Sequence, residues 1–164
     1  MKSIVESFGH ANFDDIAVQT AHERITYGAL KTRVKHLALW LVNKGIQSVA
    51  IHAQNSLDWV MIDLACQHGN IVFTPVPLFF TPAQFQRVVS SVKPDMLFSQ
   101  QAASYGQPIS CEMVYLSACR LSHAALLQLP IGTSKVTYTS GSTGEPKGVC
   151  LSTKSQLNVA LSLV

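Results

Sequence analysis

Charge is scarce in this sequence: Asp, Glu, Lys and Arg make up 13% of its 164 residues, against about a quarter in an ordinary free-standing domain. With 48% apolar residues, the chain has a surplus of apolar surface. That surplus predicts that part of it meets more protein, a second copy of this chain (a homodimer) being one such partner. The formal net charge is only +3, and no Lys/Arg cluster is long enough to leave a nucleic-acid or lipid footprint, so neither partner is expected. Cysteine is sparse as well. Cys66, Cys111, Cys119 and Cys150 show no CxxC pattern and no His at ligand spacing, so they read as buried, reduced thiols and no metal site is expected. Long hydrophobic runs are missing: Ile71 to Phe80 is too short to span a bilayer and holds Pro75 and Pro77. Glu6 and His10 interrupt any apolar signal core at the N-terminus. These absences together predict a cytoplasmic protein without a transmembrane segment.

What is present is an alternation of helix-like and strand-like segments. Tyr27, Leu30, Val34, Leu37 and Leu41 recur at helical spacing after a capping Thr26, and Gly45 closes the run. Ser48 to Ala53 reads as a strand. Asn55 or Ser56 opens a second helix that ends near Gly69, and Ile71 to Thr74 is strand again. Thr81-Pro82 places a capping hydroxyl before Pro at the first helical position, which predicts a helix to about Val92. Met96 to Ser99 and Met113 to Leu116 read as strands, Gln100 to Gln107 as an irregular connection, and Ser122 to Leu129 as a short helix. Val136 to Thr139 is a further strand. Thr153-Lys154-Ser155-Gln156 fits a capping box, so a last helix begins there. The whole predicts an α/β layer, a mostly parallel sheet flanked by helices. In such sheets ligands gather beyond the carboxyl ends of the strands.

The strongest chemical signal follows the strand at Val136 to Thr139. Of the seven residues Tyr138 to Gly144, six are Ser, Thr or Gly, and Glu145-Pro146-Lys147-Gly148-Val149 completes the run. Gly141 and Gly144 remove Cβ atoms, so the backbone can turn and approach an anion closely. Successive N–H groups in such a turn make a concave anion site. Thr139, Ser140, Ser142 and Thr143 add hydroxyls, and Lys147 adds a mobile point charge. This is not the Walker loop, because Gly148 and Val149 follow Lys147 where that motif needs Ser or Thr. Nor is it the G-x-G-x-x-G dinucleotide fingerprint. It reads as a phosphate loop of another kind, spanning residues 138–149.

Thr139-Ser140-Gly141-Ser142-Thr143-Gly144-Glu145-Pro146-Lys147-Gly148 resembles the signature of the adenylate-forming (AMP-binding) enzymes. These comprise acyl- and aryl-CoA synthetases, luciferases and peptide-synthetase adenylation domains. Ile25-Thr26-Tyr27-Gly28-Ala29-Leu30 and Gln54-Asn55-Ser56 are similar to the family's opening segment, and Ala65 to Leu78, followed by Thr81-Pro82, to its next block. The resemblance implies the N-terminal part of the ligase fold over residues 1–164, with the remainder of the large domain and the C-terminal domain absent. It implies ATP-dependent activation of a carboxylic acid as acyl-adenylate, with Mg²⁺, then transfer to coenzyme A. It also implies that Thr139, Ser140, Gly141, Ser142, Thr143, Gly144 and Lys147 hold the β- and γ-phosphates.

An acyl-CoA ligase, as in fatty acid metabolism, is the leading expectation, and an amino-acid-adenylating domain is the alternative. Two features depart from the family pattern. Leu151-Ser152 leads to Thr153 and Lys154 where many relatives carry a His, and the stretch between Pro94 and Lys135 is short. No complete catalytic set is present, because the family's adenine, ribose, magnesium and catalytic-lysine positions lie downstream. The isolated chain is therefore expected to be inactive and to bind ATP weakly. Leu157, Val159, Ala160, Leu161, Leu163 and Val164 carry an apolar pattern to the last residue without a cap, which predicts a fragment of a longer protein. Asp14, Asp15, Asp58 and Asp63 read as solvated or capping carboxylates, and His52 and His68 as packed at element ends. A non-catalytic nucleotide-binding or dimerising module is the rival reading.

Overall fold

In a computed structural model the described residues are 12–122, 129–140 and 145–162. A short antiparallel hairpin comes first, β1 (Ile16–Gln19) with β2 (Arg24–Thr26). Helix α1 (Tyr27–Asn43) follows, capped by Thr26, whose hydroxyl accepts the Ala29 amide at 3.3 Å. It closes at Gly45, which takes a left-handed φ of +70°. Strand β3 (Ser48–His52) leads to α2 (Leu57–His68), capped by Ser56, and then to β4 (Val72–Pro75). Helix α3 (Pro82–Val92) has a full capping box in which Thr81 and Gln84 exchange side-chain-to-backbone bonds.

The remaining strands are β5 (Met96–Ser99), β6 (Gln107–Ile109), β7 (Ser117–Arg120), β8 (Thr133–Ser140) and β9 (Pro146–Ser152), with α4 (Thr153–Ser162) last. Seven of the strands form one sheet in the order β6-β7-β5-β3-β4-β8-β9. The expected α/β class holds, but the sheet is mixed. Its centre, β5-β3-β4-β8, is parallel, and both edges, β6-β7 and β9, are antiparallel.

Alternation along the strands divides the core between the two faces. Val49 and Ile51 of β3, Phe73 of β4 and Met96 and Phe98 of β5 meet α1 and α2 through Leu37, Leu41, Met61 and Ile62. Ala50, Leu97 and Val136 turn the other way and meet Phe85, Val88 and Val92 of α3. Each fully buried side chain of this size contributes about 1.5–3 kcal/mol. The helices are amphipathic because each covers one face.

Several sequence expectations are corrected. Met113 to Leu116 is not a strand, because the Tyr115 and Leu116 amides are taken by the Asp58 carboxylate, at 2.7 and 2.8 Å; β7 starts only at Ser117. Gln100 to Gln107 is not wholly irregular, since Ala102–Ser104 makes a 3-10 turn and β6 begins at Gln107. The last helix is capped one residue earlier than expected. Ser152 accepts the Ser155 amide at 3.1 Å, and Gln156 donates to Ser134 and to the Ser152 carbonyl instead of completing a box with Thr153. Most of the helix expected over Ser122 to Leu129 lies outside the described residues.

All four cysteines are free. Cys66 and Cys119 are buried and Cys111 is half-buried, but Cys150 is exposed because it sits on the edge strand β9. Among the described residues no helix is long and apolar enough to cross a membrane.

Candidate functional site

The parallel strands β3, β4 and β8 point their carboxyl ends to one side of the sheet. An open cleft of about 580 Å³ lies there, lined by Asn55, Trp59, Val76, Phe79, Thr137 and Tyr138 among others. Among the described residues no charged side chain lines it. The cleft lies at the strand ends, where the rule for such sheets would place a ligand.

Strand β8 then continues past the cleft as one arm of a hairpin with β9. The sequence disguises β9, because Pro146-Lys147-Gly148 reads as turn chemistry. An edge strand tolerates Pro at its first residue, since no ladder N–H is demanded there. Pairing sets Ser140 opposite Pro146, Thr139 opposite Lys147 and Tyr138 opposite Gly148. Directly opposed residues project from the same face, so Thr139 and Lys147 share one face of the hairpin near the end where residues 141–144 connect its strands. Both residues are exposed. Lys147 has no ion-pair partner among the described residues. Gly141, Ser142, Thr143 and Gly144, expected to complete the phosphate loop, lie outside the described residues, as does the Ser140 side chain.

The hairpin is tethered on both faces. Lys135 at its root reaches across to α2 and pairs with Asp63 at 2.6 Å, both side chains only 14% exposed. Its ammonium also lies over an aromatic face, 5.3 Å from the Phe73 ring centroid. On the other face Val136 is buried against α3, and the Tyr138 hydroxyl bonds the Ser91 hydroxyl of that helix. One turn earlier on α3, Arg87 forms an ion pair with Glu145, just before β9.

The carboxylates are more deeply engaged than the sequence suggested. Asp58 is 6% exposed and anchors the segment before β7. Asp63 holds Lys135 and accepts a bond from Gln67 at 3.0 Å. These two are corrected from solvated or capping groups: Asp58 is buried and hydrogen-bonded to two amides, and Asp63 is half-buried and ion-paired. Asp95 accepts the Gln47 and Ser48 amides at 2.8 and 2.9 Å. His52 packs at the end of β3, its Nδ1 3.2 Å from the Val76 carbonyl oxygen and its ring against Phe85. Burial pushes the Cys66 thiol well above the usual cysteine range; Asp63 adds to the rise and Lys135 opposes it.

This donor set suits a polyphosphate: a hydroxyl-bearing residue and a lysine without an ion-pair partner among the described residues share one face of the hairpin, next to the Gly- and Ser-rich sequence 141–144. Among the described residues no group of three His, Cys, Asp or Glu converges, and Glu145 is occupied by Arg87.

A family model described as AMP-binding enzyme matches residues 6–164. The chain is 27% identical over 157 residues to gramicidin S synthase 2 of Brevibacillus brevis, covering 91% of this chain and 4% of that protein. It is 30% identical over 148 residues to the nonribosomal peptide synthetase pboA of Aspergillus ustus, covering 84% of this chain and 7% of that one. Among solved structures, O-succinylbenzoate coenzyme A synthetase from Bacillus subtilis in complex with AMP superposes with a TM-score of 0.73 at 16% identity, over 96% of this chain and 44% of that chain. The N-terminal subdomain of Klebsiella oxytoca NpsA gives 0.69 at 23% identity, over 92% and 41%. The structural likenesses carry the fold. The chain spans only 4% and 7% of the two peptide synthetases.

Proposed function

The chain belongs to the AMP-binding enzyme family, and from that premise we propose that it carries the phosphate-handling N-terminal subdomain, residues 1–164, of an ATP-dependent carboxylate ligase. The observation that carries the proposal is the register of the β8–β9 hairpin, which sets Thr139 opposite Lys147 beside the Gly- and Ser-rich sequence 141–144. Thr139, Ser140, Gly141, Ser142, Thr143, Gly144 and Lys147 hold the β- and γ-phosphates of ATP as the acid's carboxylate attacks the α-phosphorus. The bond to the bridging oxygen breaks and pyrophosphate leaves. The work of this chain is electrostatic. Lys147 and the loop donors stabilise the negative charge that grows on the departing pyrophosphate. Mg²⁺ bound with the nucleotide would supply further neutralisation of that charge. A thiol then attacks the acyl carbon of the acyl-adenylate, forming the thioester and releasing AMP.

Two acceptors fit this reading. The peptide synthetases among the relatives favour an amino acid passed to a carrier-protein thiol, and the O-succinylbenzoate ligase favours a carboxylic acid passed to coenzyme A. The amino-acid reading has the support of the curated relatives reported above. An ATP–pyrophosphate exchange assay on the native protein that contains this chain, with panels of amino, aryl and fatty acids, identifies the acid, and thioester formation with coenzyme A or with a carrier protein then separates the two acceptors.

The phosphate reading is tested on the chain itself by titrating it with inorganic tripolyphosphate and with MgATP, followed by NMR. Weak binding of both is expected. Lys147→Ala should weaken tripolyphosphate binding about tenfold or more, since a bond to a charged group contributes about 1.5–3 kcal/mol. Equal binding by Lys147→Ala and the wild type would remove the proposal's support. Turnover by the chain alone would contradict the expectation that its site is incomplete.

A further inference from the structure

The phosphate loop is presented by a hairpin at the edge of the sheet, and something must fix the direction in which that hairpin points. The β8 ladder to β4 is brief: Phe73 opposite Lys135 is the one register pair. Beyond it, β8 runs past the end of β4 with only β9 beside it. Alternation gives Tyr138 to the α3 face, where its ring packs at the border of the cluster built on Phe85, Val88 and Val92. Its hydroxyl meets Ser91 of α3.

The opposite strand makes room for this pose. A Cβ on Gly148 would stand 3.1 Å from Tyr138 Cζ and 3.3 Å from its Oη, tighter than a side chain accepts without moving the ring. The ring therefore lies across the bare backbone of Gly148 and is pinned at its far end by Ser91. Arg87, one turn before Ser91 and so on the same side of the helix, engages Glu145 at the mouth. That pair is more than half exposed on both sides, and exposed pairs of this kind hold little. The Tyr138 contact is the one with packing behind it.

We propose that Tyr138, pinned to α3 through Ser91 and seated over Gly148, is a positioning residue that fixes the orientation of the β8–β9 hairpin, so that Thr139 and Lys147 face one polyphosphate. The inference rests on the phosphate reading of the loop. It assigns Tyr138 no contact with the ligand and no part in the chemistry.

The test uses the full chain with inorganic tripolyphosphate as the probe, and Tyr138→Phe and Ser91→Ala as the variants. Tyr138→Phe keeps the ring and removes only the hydroxyl, so the chain remains folded. Each variant should bind tripolyphosphate about three- to tenfold more weakly, the range expected for one lost hydrogen bond. Amides of Thr137, Thr139 and Gly148 should exchange with solvent faster by a similar factor, while those of β3 and β5 stay unchanged. Ser91→Thr, which retains the hydroxyl, should restore both properties. The double variant should be no worse than either single one, because both remove the same bond. If the wild type binds tripolyphosphate and the variants match it in affinity and exchange, the positioning role is overturned while the phosphate reading stands. If the wild type takes up no tripolyphosphate, the phosphate reading falls and takes this inference with it.

Discussion

The centre of the sheet and its hairpin edge are held by different forces. Around β3 and β5, Leu37, Ile51, Met61 and Phe98 are almost wholly inaccessible, and burial of apolar surface on both faces sets their positions. Among the described residues of the β8–β9 hairpin only Val136 is buried, and Lys147 to Cys150 are exposed. What orients the hairpin is a column of directional contacts: Lys135 with Asp63 at the root, Tyr138 with Ser91 in the middle and Arg87 with Glu145 at the mouth. The centre needs volume and alternation, which many sequences supply. The edge needs particular atoms at particular places, and an arm held this way falls at the low-stability end of a structure, where ligand-binding segments are drawn from.

Truncation in each region breaks or sharpens this contrast most strongly. Phe98→Ala in β5 should cost about 3–5 kcal/mol in chemical denaturation, the loss typical of a buried aromatic. Val149→Ala on β9 should stay within about 0.5 kcal/mol, since that side chain is 46% exposed. Comparable losses at the two positions would abolish the distinction. The root of the hairpin is intermediate. Lys135→Ala leaves Asp63 largely buried without its cation and should cost about 1–3 kcal/mol. Lys147→Ala should cost less than about 0.5 kcal/mol, although it is the change expected to impair phosphate binding.

Thiol chemistry sharpens the same contrast without touching stability. Cys150 on the edge strand is exposed and Cys66 in α2 is buried. A neutral alkylating reagent at pH 8 should modify Cys150 about a hundredfold faster or more, with Cys66 reacting only on opening of the core. The raised folded-state value of Cys66 also carries a sign. Below the ordinary thiol range both folded and unfolded chains keep the proton, and stability does not depend on this group. Above that range the unfolded chain ionises and the folded one does not. The unfolded state then binds fewer protons, so stability falls as pH rises. Denaturation midpoints measured from pH 8 to pH 10 should drop more for the wild type than for Cys66→Ala.

The central fold was legible because its determinants are local. Thr26, Ser56 and Thr81 announce α1, α2 and α3, each cap being a side chain a few residues from the amide it serves. Residues 48–53, 71–74 and 96–99 are apolar runs between such helices, and they became β3, β4 and β5. The edges were not legible, because their strands are defined by partners. β2 and β6 have three residues each and carry no period. Residues 113–116 look as strand-like as their neighbours until Asp58, far away in sequence, claims two of their amides.

The site divides in the same way. The chemistry proposed for it rests on the run from Thr139 to Lys147, which the sequence displays. The opposition of Thr139 and Lys147 depended on β9, which Pro146 and Gly148 conceal. Ser91 and Arg87 gave no signal at all. A Ser and an Arg on the polar side of an amphipathic helix look like any solvated pair until the hairpin is laid beside them.

The smallest expected effect concerns the contact nearest the site. Arg87 and Glu145 pair at the mouth, but their side chains are 57% and 63% exposed. In that setting most of the attraction is lost to solvent, and holding two long side chains together has its own entropic cost. A double-mutant cycle with Arg87→Ala and Glu145→Ala should give a coupling of about 0–0.5 kcal/mol at low salt, and less at 0.5 M salt, where screening is strong over a few ångströms. A coupling above about 1.5 kcal/mol that persists in salt would mean that the mouth is locked as firmly as the root. The hairpin would then be a rigid extension of the sheet instead of an arm steered from Tyr138. A small, salt-sensitive coupling leaves Arg87 free to exchange Glu145 for another anion at little cost, and keeps the orienting role with the Tyr138–Ser91 contact.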